Sequence, residues 1–174
     1  MHQPTTPPTP PYIIRPATLA DAPAIIAVLN PIIRRGDLTA MDQPLSVEAQ
    51  VAWMQAFPPN GVFLVAACID TGRVLGLQDA SPLPSGAPSL SAEVSTFVAL
   101  SAQRIGIGRA LTRATLLAAA TLGLRTLTAT IRADNPLALA FYQSQGFRII
   151  GTIHNHARVR GALIDAVTAE LALS

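Results

Sequence analysis

The sequence predicts an α/β domain on a mixed sheet. Three observations carry that expectation. Runs of apolar and β-branched residues alternate with runs of helical period, in the order strand, helix, helix, three strands, helix, strand, helix, two strands. Helix starts are marked by capping residues at Thr18, Ser46 and Asn135. The chain has 174 residues and is 50% hydrophobic, enough for one well-buried core without disulfides.

The elements follow in order. Met1–Pro11 holds five prolines in eleven residues and reads as a flexible tail, leaving 12–174 as a single domain. Tyr12–Arg15 reads as a first strand. Thr18 precedes Asp21 by three, the spacing of a capping box, and Ile25, Ile26, Val28 and Leu29 give a helical stripe. Pro31 is expected to end or kink that helix, because its ring clashes with the preceding turn. Ser46 caps a second helix to about Phe57, stopped by Pro58-Pro59-Asn60-Gly61. Val62–Ile69 and Val74–Ala80 read as a hairpin around Asp70-Thr-Gly-Arg73, and Ser81–Ser91 as a loop. Ala92–Leu100 is a strand with Glu93, Ser95, Phe97 and Ala99 on one face and Val94, Thr96, Val98 and Leu100 on the other. A long helix follows to about Leu122, with Gly123 as its left-handed C-terminal residue. Leu124–Ile131 is a strand. Asn135-Pro136 combines an N-cap with proline at the first helical position, and that helix ends at Gly146. Phe147–Ile153 and Leu163–Leu173 are the last strands.

Composition excludes several classes. Twelve cations, all arginine, against ten acids give a net charge of +2, too small and too dispersed for a nucleic-acid binder. No apolar run reaches the length of a membrane span. The opening residues lack the charged and apolar regions of a signal peptide, so a cytoplasmic protein is expected. The lone Cys68 reads as a small buried hydrophobe, and it excludes a multi-cysteine metal site. His154 and His156 alternate in an extended segment with no third ligand, so they read as a solvated pair and no metal is expected. Trp53 reads as a packing anchor.

Gln103-Arg104-Ile105-Gly106-Ile107-Gly108-Arg109 joins a strand to a helix. The first N–H groups of a helix have no internal partner and carry partial positive charge, glycines let a ligand approach, and two arginines flank the loop. This suits a pyrophosphate. The loop is not Walker A, and the third glycine of a dinucleotide fingerprint is replaced by Leu111.

Gln103-x-x-Gly106-x-Gly108 after a strand, followed by Asn135, Tyr142 and Gly146-Phe147, resembles the GNAT N-acetyltransferase superfamily. The likeness spans Ile14 to Leu173. Ile14–Thr18, Leu29-Asn30, Ser46–Trp53 and Glu93–Val98 look most like its phosphinothricin / methionine-sulfoximine acetyltransferase group. The resemblance implies a splayed sheet flanked by helices, in which strands 92–100 and 125–131 part to admit acetyl-coenzyme A. It implies that the backbone of Thr96, Phe97 and Val98 pairs with the pantetheine arm. The N–H groups across Arg104–Arg109 would hold the pyrophosphate, Asn135 would bond the pantetheine, and Tyr142 would sit near the thioester sulfur.

The implied reaction needs a neutral amine, a stabilised oxyanion and a departing thiolate. Of three glutamates, only Glu93 lies beside the implied cleft, about 20 Å upstream of Leu100 at ~3.3 Å per residue. It is the candidate base, directly or through water; the plain alternative is an exposed strand glutamate. Tyr142 reads as proton donor to the thiol or as a core tyrosine. Asn135 reads as cap and cofactor ligand together. Backbone N–H near Phe97 or Val98 would be the oxyanion donor. Ile105 stands where the family has a polar or basic residue. Positions that the group fills with aromatics are Ile32, Leu77 and Leu163, with Asp165 retained, so a different acceptor pocket is expected. The expected function is acetyl transfer to a small, amino-acid-like amine in a ternary complex, by a possible homodimer. Protein acetylation and a non-catalytic acyl-coenzyme A sensor are the alternatives.

Overall fold

The structure, a computed structural model, describes residues 11–84 and 90–173. The tail expectation falls on residues outside these, apart from Pro11. The elements are β1 (Tyr12–Pro16), α1 (Ala22–Arg35), α2 (Val47–Ala56), β2 (Val62–Cys68), β3 (Val74–Pro82), β4 (Ser91–Val98), α3 (Ile107–Thr121), β5 (Thr126–Arg132), α4 (Pro136–Ser144), β6 (Arg148–Val159) and β7 (Ala162–Ala172). The strands form one open sheet in the order β1-β2-β3-β4-β5-β7-β6. Every pairing is antiparallel except β4 with β5. The mixed α/β expectation holds.

Helices cover both faces, and two cores result. On one face Ile107 and Leu111 of α3 and Tyr142 of α4 pack against Leu64, Val94, Leu127 and Phe147. On the other, Ile25, Val28, Leu29, Ile32 and Ile33 of α1 pack against Val65, Val74 and Leu77. Coverage on both faces explains why β2 and β3 read as nearly unbroken apolar runs.

The capping residues act as the sequence suggests. Ser46 Oγ accepts from the Ala49 N–H at 3.1 Å, and Asn135 Oδ1 from the Ala138 N–H at 3.0 Å. Asp21 accepts from the Thr18 N–H at 2.8 Å and pairs with Arg15 at 2.7 Å, fixing the entry to α1.

Several expectations are corrected. Helix α1 does not end at Pro31 but runs through it to Arg35. Proline costs a helix interior ~3 kcal/mol. Five apolar side chains on either side of it are buried, each stabilising by ~1.5–3 kcal/mol, so burial wins. Ala27, whose carbonyl Pro31 leaves without its helical donor, is exposed to water. Strand β4 stops at Val98, and Leu100–Ala102 form a 3-10 turn. Strand β3 reaches Pro82, beyond the predicted loop start. Strand β6 continues to Val159 across a bulge between Ile153 and Ala157, where Asn155 has φ 51°. Cys68 is half-buried at the end of β2, not fully buried.

Candidate active site

Strands β4 and β5 pair only from Ser91 to Glu93, against Thr126 to Thr128. Beyond Glu93 they part, leaving the β5-facing edge of Val94–Val98 open. A cleft of about 460 Å³ lies there, lined by Thr96, Phe97, Val98, Gln103, Arg104, Gly106, Ile107, Gly108, Arg109, Asn135 and Tyr142. Arg104 (φ 67°) and Gly106 (φ 89°) are both left-handed and turn the chain into α3. The first internal bond of α3 runs from the Ala110 N–H to the Gly106 carbonyl at 3.0 Å, so the N–H groups of Ile107, Gly108 and Arg109 precede the ladder. The Ile107 side chain meanwhile anchors the loop in the core. At Gly108 a Cβ would stand 2.9 Å from the Phe141 ring, so glycine is what lets α3 and α4 approach here. Ile105, 55% exposed, lies outside the cleft.

Tyr142 is buried against the base of the cleft. Its hydroxyl lies 3.0 Å from Thr96 Oγ1 and 3.5 Å from the Val94 carbonyl. Gln78 Nε2 donates to Thr96 Oγ1 at 2.7 Å and to Thr112 Oγ1 at 3.0 Å. Thr96 Oγ1 keeps a second lone pair after accepting from Gln78, so its bond with Tyr142 can run in either direction, and the Tyr142 hydroxyl also donates toward the Val94 carbonyl. Burial raises the Tyr142 pKa, opposed by the Thr96 hydrogen bond, so the phenol remains a donor.

A second cavity, about 650 Å³, opens on the α1 and α2 face. It shares Leu38, Thr96, Phe97, Asn135, Ala138 and Tyr142 with the cleft, so the two spaces meet at those residues. Glu93 lines it and accepts from Thr130 Oγ1 at 2.7 Å. Asp79 lines it too and is buried. Burial, the nearby Glu93 charge and an opposing hydrogen bond from its own backbone leave the Asp79 pKa raised to about 7. Trp53 packs edge-on against Phe63 at 5.3 Å, as an anchor should, and also lines this cavity.

The cavity wall between α1 and α2 is fastened by polar residues. Arg132 donates through Nη1 to the carbonyls of Gly36 (2.9 Å) and Thr39 (3.0 Å), and through Nε and Nη2 to Asp134. Asn135 Nδ2 donates to the Leu38 carbonyl at 3.1 Å. Asn30 exchanges two bonds with Leu45. Arg160 reaches Asp42 and the Arg34 carbonyl from the β6–β7 turn.

The structure thus brings together Glu93, Thr96, Phe97, Val98, Asn135 and Tyr142, with Gln103, Arg104 and Gly106–Arg109 along the cleft. Sequence reasoning missed Gln78, Asp79, Arg132 and Asn30. The signal for Gln78 and Asp79 was two polar residues inside an apolar central strand. Arg132 acts on residues distant in sequence and gave no local signal; Asn30 was marked only through the likeness at Leu29-Asn30, with nothing to show that it holds Leu45. His154 and His156 are both exposed, as expected of a solvated pair, and His154 Nδ1 in addition lies 3.0 Å from Asp165 Oδ2. His156 is exposed and lines the 650 Å³ cavity. Leu163, expected near the acceptor, is exposed on β7 and lines neither space. Among the described residues no group of three or more His, Cys, Asp or Glu is placed to hold a metal, and no helix is long and apolar enough to cross a membrane.

Residues 32–147 match the model of the acetyltransferase (GNAT) family. The chain is 27% identical to the L-methionine sulfoximine/L-methionine sulfone acetyltransferase of Pseudomonas paraeruginosa over 165 residues, 92% of this chain and 94% of that one. It resembles the ribosomal-protein-alanine N-acetyltransferase structure from Brucella melitensis with a TM-score of 0.85 and 29% identity, covering 92% and 99% of the two chains. A phosphinothricin acetyltransferase from Sinorhizobium meliloti in complex with acetyl-coenzyme A shares the fold, with a TM-score of 0.85 at 23% identity, covering 94% and 89%. The parted strands, the glycine loop opening α3 and the family match converge: this chain belongs to the acetyltransferase (GNAT) family, an acetyl-coenzyme A-dependent N-acetyltransferase.

Proposed function

We propose that the protein moves an acetyl group from acetyl-coenzyme A to the primary amine of a small molecule, directly, with both substrates bound. The observation that carries this reading is the meeting of two cavities at Thr96, Phe97, Asn135 and Tyr142, one holding the glycine loop and the other Glu93. The small-molecule class is supported by the relative named for methionine sulfoximine and methionine sulfone.

The residues present fit the coenzyme. The free edge of Thr96–Val98 offers backbone groups to an extended arm, as an added strand would. The N–H groups opening α3, with Arg104 and Arg109, suit a pyrophosphate. Asn135 stands between the loop and the acceptor cavity. Bound acetyl-coenzyme A supplies an activated acyl carbonyl and a thiol leaving group. Glu93, held by Thr130, takes the proton from the incoming amine, directly or through water. Tyr142 protonates the departing sulfur with its phenolic proton, which before the reaction is shared among Tyr142, Thr96 and the Val94 carbonyl. A backbone N–H near Phe97 or Val98 holds the carbonyl oxygen as it gains charge. No acyl-enzyme is needed, and Cys68 lines neither cavity.

Steady-state thiol release tests this. Initial-rate plots should intersect; parallel lines would point to a covalent intermediate and reject direct transfer. Glu93→Gln should lower kcat by ~10²–10⁴-fold with unchanged coenzyme affinity.

We also propose a homodimer. Strand β6 is an exposed edge, and Ile149, Ile150, Ile153 and Leu163 are 42–54% exposed there and on β7. Sedimentation at micromolar concentration should show the dimer; a monomer alone would reject it.

A further inference from the structure

The acceptor-side cavity has an unusual balance of charge. Its lining residues able to carry charge near neutrality are Asp79, Glu93, Arg132 and His156. Arg132 is not available to a ligand: both terminal nitrogens and Nε are bonded, and Asp134 offsets its charge. His156 sits at the exposed margin. Residues 85–89, Ser-Gly-Ala-Pro-Ser, carry no cation that could approach the cavity. Asp79 is 8% exposed, and among the described residues no side chain donates a hydrogen bond to it. Asp79 pairs with Ser95 and Glu93 with Ser81 across β3 and β4, so the two carboxylates share a sheet face as diagonal neighbours, ~7–8 Å apart along the backbone.

The remaining wall is mostly apolar, with Leu29, Leu38, Met41, Leu45, Leu77 and Trp53 among its residues, and is interrupted by polar side chains such as Gln50, Ser95 and Thr130. Two carboxylates at the floor and an apolar wall above have a definite complement. We propose that the acceptor is a hydrophobic primary amine that carries no carboxylate, and that Asp79 is the residue that selects it. Between about pH 7, where Asp79 ionises, and an alkyl amine pKa of about 10, the amine arrives as ammonium and is drawn to the pair. Its hydrocarbon body lies on the leucine and tryptophan surface. An α-amino acid brings a carboxylate that meets Asp79 and Glu93 with no uncommitted guanidinium to offset it, and like-charge juxtaposition is strongly unfavourable. A diamine puts its second charge against the apolar wall. This rests on the proposed function, and it departs from the amino-acid acceptors for which the methionine sulfoximine relative is named.

The test uses matched pairs with the full chain and acetyl-coenzyme A: phenethylamine against phenylalanine, and isopentylamine against leucine, with putrescine as the diamine. Each amine should exceed its amino acid in kcat/KM by on the order of 100-fold, chiefly through KM. Asp79→Asn should lose ~10-fold toward the amines, shrink their advantage over the amino acids, and leave the acetyl-coenzyme A KM unchanged. Asp79→Ser serves if the asparagine variant folds poorly, and the wild-type comparison needs neither. Equal or better use of the amino acids overturns this inference while leaving small-molecule acetylation standing. Preference for putrescine overturns it in favour of a polyamine. Coenzyme binding with no turnover of any amine or amino acid overturns both.

Discussion

Asp79 is protonated in the folded protein at a pH where the unfolded chain has long since ionised, and this difference is measurable as stability. Its pKa rises from an ordinary 3.8 to about 7, first because burial removes the carboxylate from water and second because Glu93 is close. The raised value means that the native state binds a proton that the unfolded state has released. Stability therefore falls as pH rises between the two values, by ~1.4 kcal/mol per pH unit. Below about pH 4 both states are protonated and nothing is lost; above about pH 7 the loss is complete. Over the roughly three intervening pH units the ceiling is ~4 kcal/mol. Asp79→Asn removes the ionisation and keeps the shape. Its stability relative to the parent should climb by up to ~3 kcal/mol between pH 4.5 and pH 8, read from urea melts across that range. A Glu93→Gln background should show a smaller climb, because the second cause of the raised pKa is gone. Parallel stability–pH curves for parent and Asp79→Asn would refute the reasoning, since they would mean that Asp79 ionises alike in both states.

Other perturbations have equally definite outcomes. Asp21 is held down to about 2, first by its hydrogen bonds from Arg15. That contribution is present above pH 4 and is lost as pH falls toward 2. With Arg15 a third exposed, Asp21→Asn should cost ~1–2 kcal/mol at pH 7 and much less near pH 2.5, measured by the same melts. Gly106→Ala places a Cβ on a φ of 89° and should cost ~1–2 kcal/mol while weakening coenzyme binding by calorimetry. Asn135→Asp keeps an oxygen for the α4 cap but loses the donation to Leu38, whereas Asn135→Ala loses both. The alanine variant should lose a further ~1 kcal/mol in thermal unfolding, and both should raise the acceptor KM.

What the sequence made legible was local. The Asn135-Pro136 start, the Ser46 cap and the Gly106-x-Gly108 junction each declare themselves within a few residues, because caps and left-handed turns are short-range chemistry. Glu93 was legible because the strand that carries it could be placed beside a loop already recognised. Pro31 misled because its cost is local while the burial that overrides it is tertiary. Strand β6 past Ile153 was missed for a related reason: His154 to Arg158 form an exposed edge, so no alternation of apolar and polar residues marks them. Asp79 sat unread within Val74–Ala80. In a central strand an acid has meaning only once its face is known to open on a cavity.

The chain is only 5% aromatic, and the cavity proposed for the acceptor is built with Trp53, Phe97 and Tyr142 as its aromatic lining and much of its wall held by polar bonds. Residues between α1 and α2 have little regular structure of their own. Their carbonyls at Gly36, Thr39 and Leu38 are taken up by Arg132 and Asn135, which lie more than ninety residues away at the end of β5 and the start of α4. Leu38 therefore faces both spaces because the same asparagine caps α4 and holds it. A buried guanidinium with its charge offset and its donors engaged fixes a loop by direction, where a phenyl ring would do so by bulk. Binding surface on the two sides of the reaction is thus joined through one polar network. The engagement of Arg132 in that network has a chemical consequence: the one guanidinium lining this cavity is structural, which leaves Glu93, joined by Asp79 above about pH 7, to set the charge that the proposed acceptor would meet.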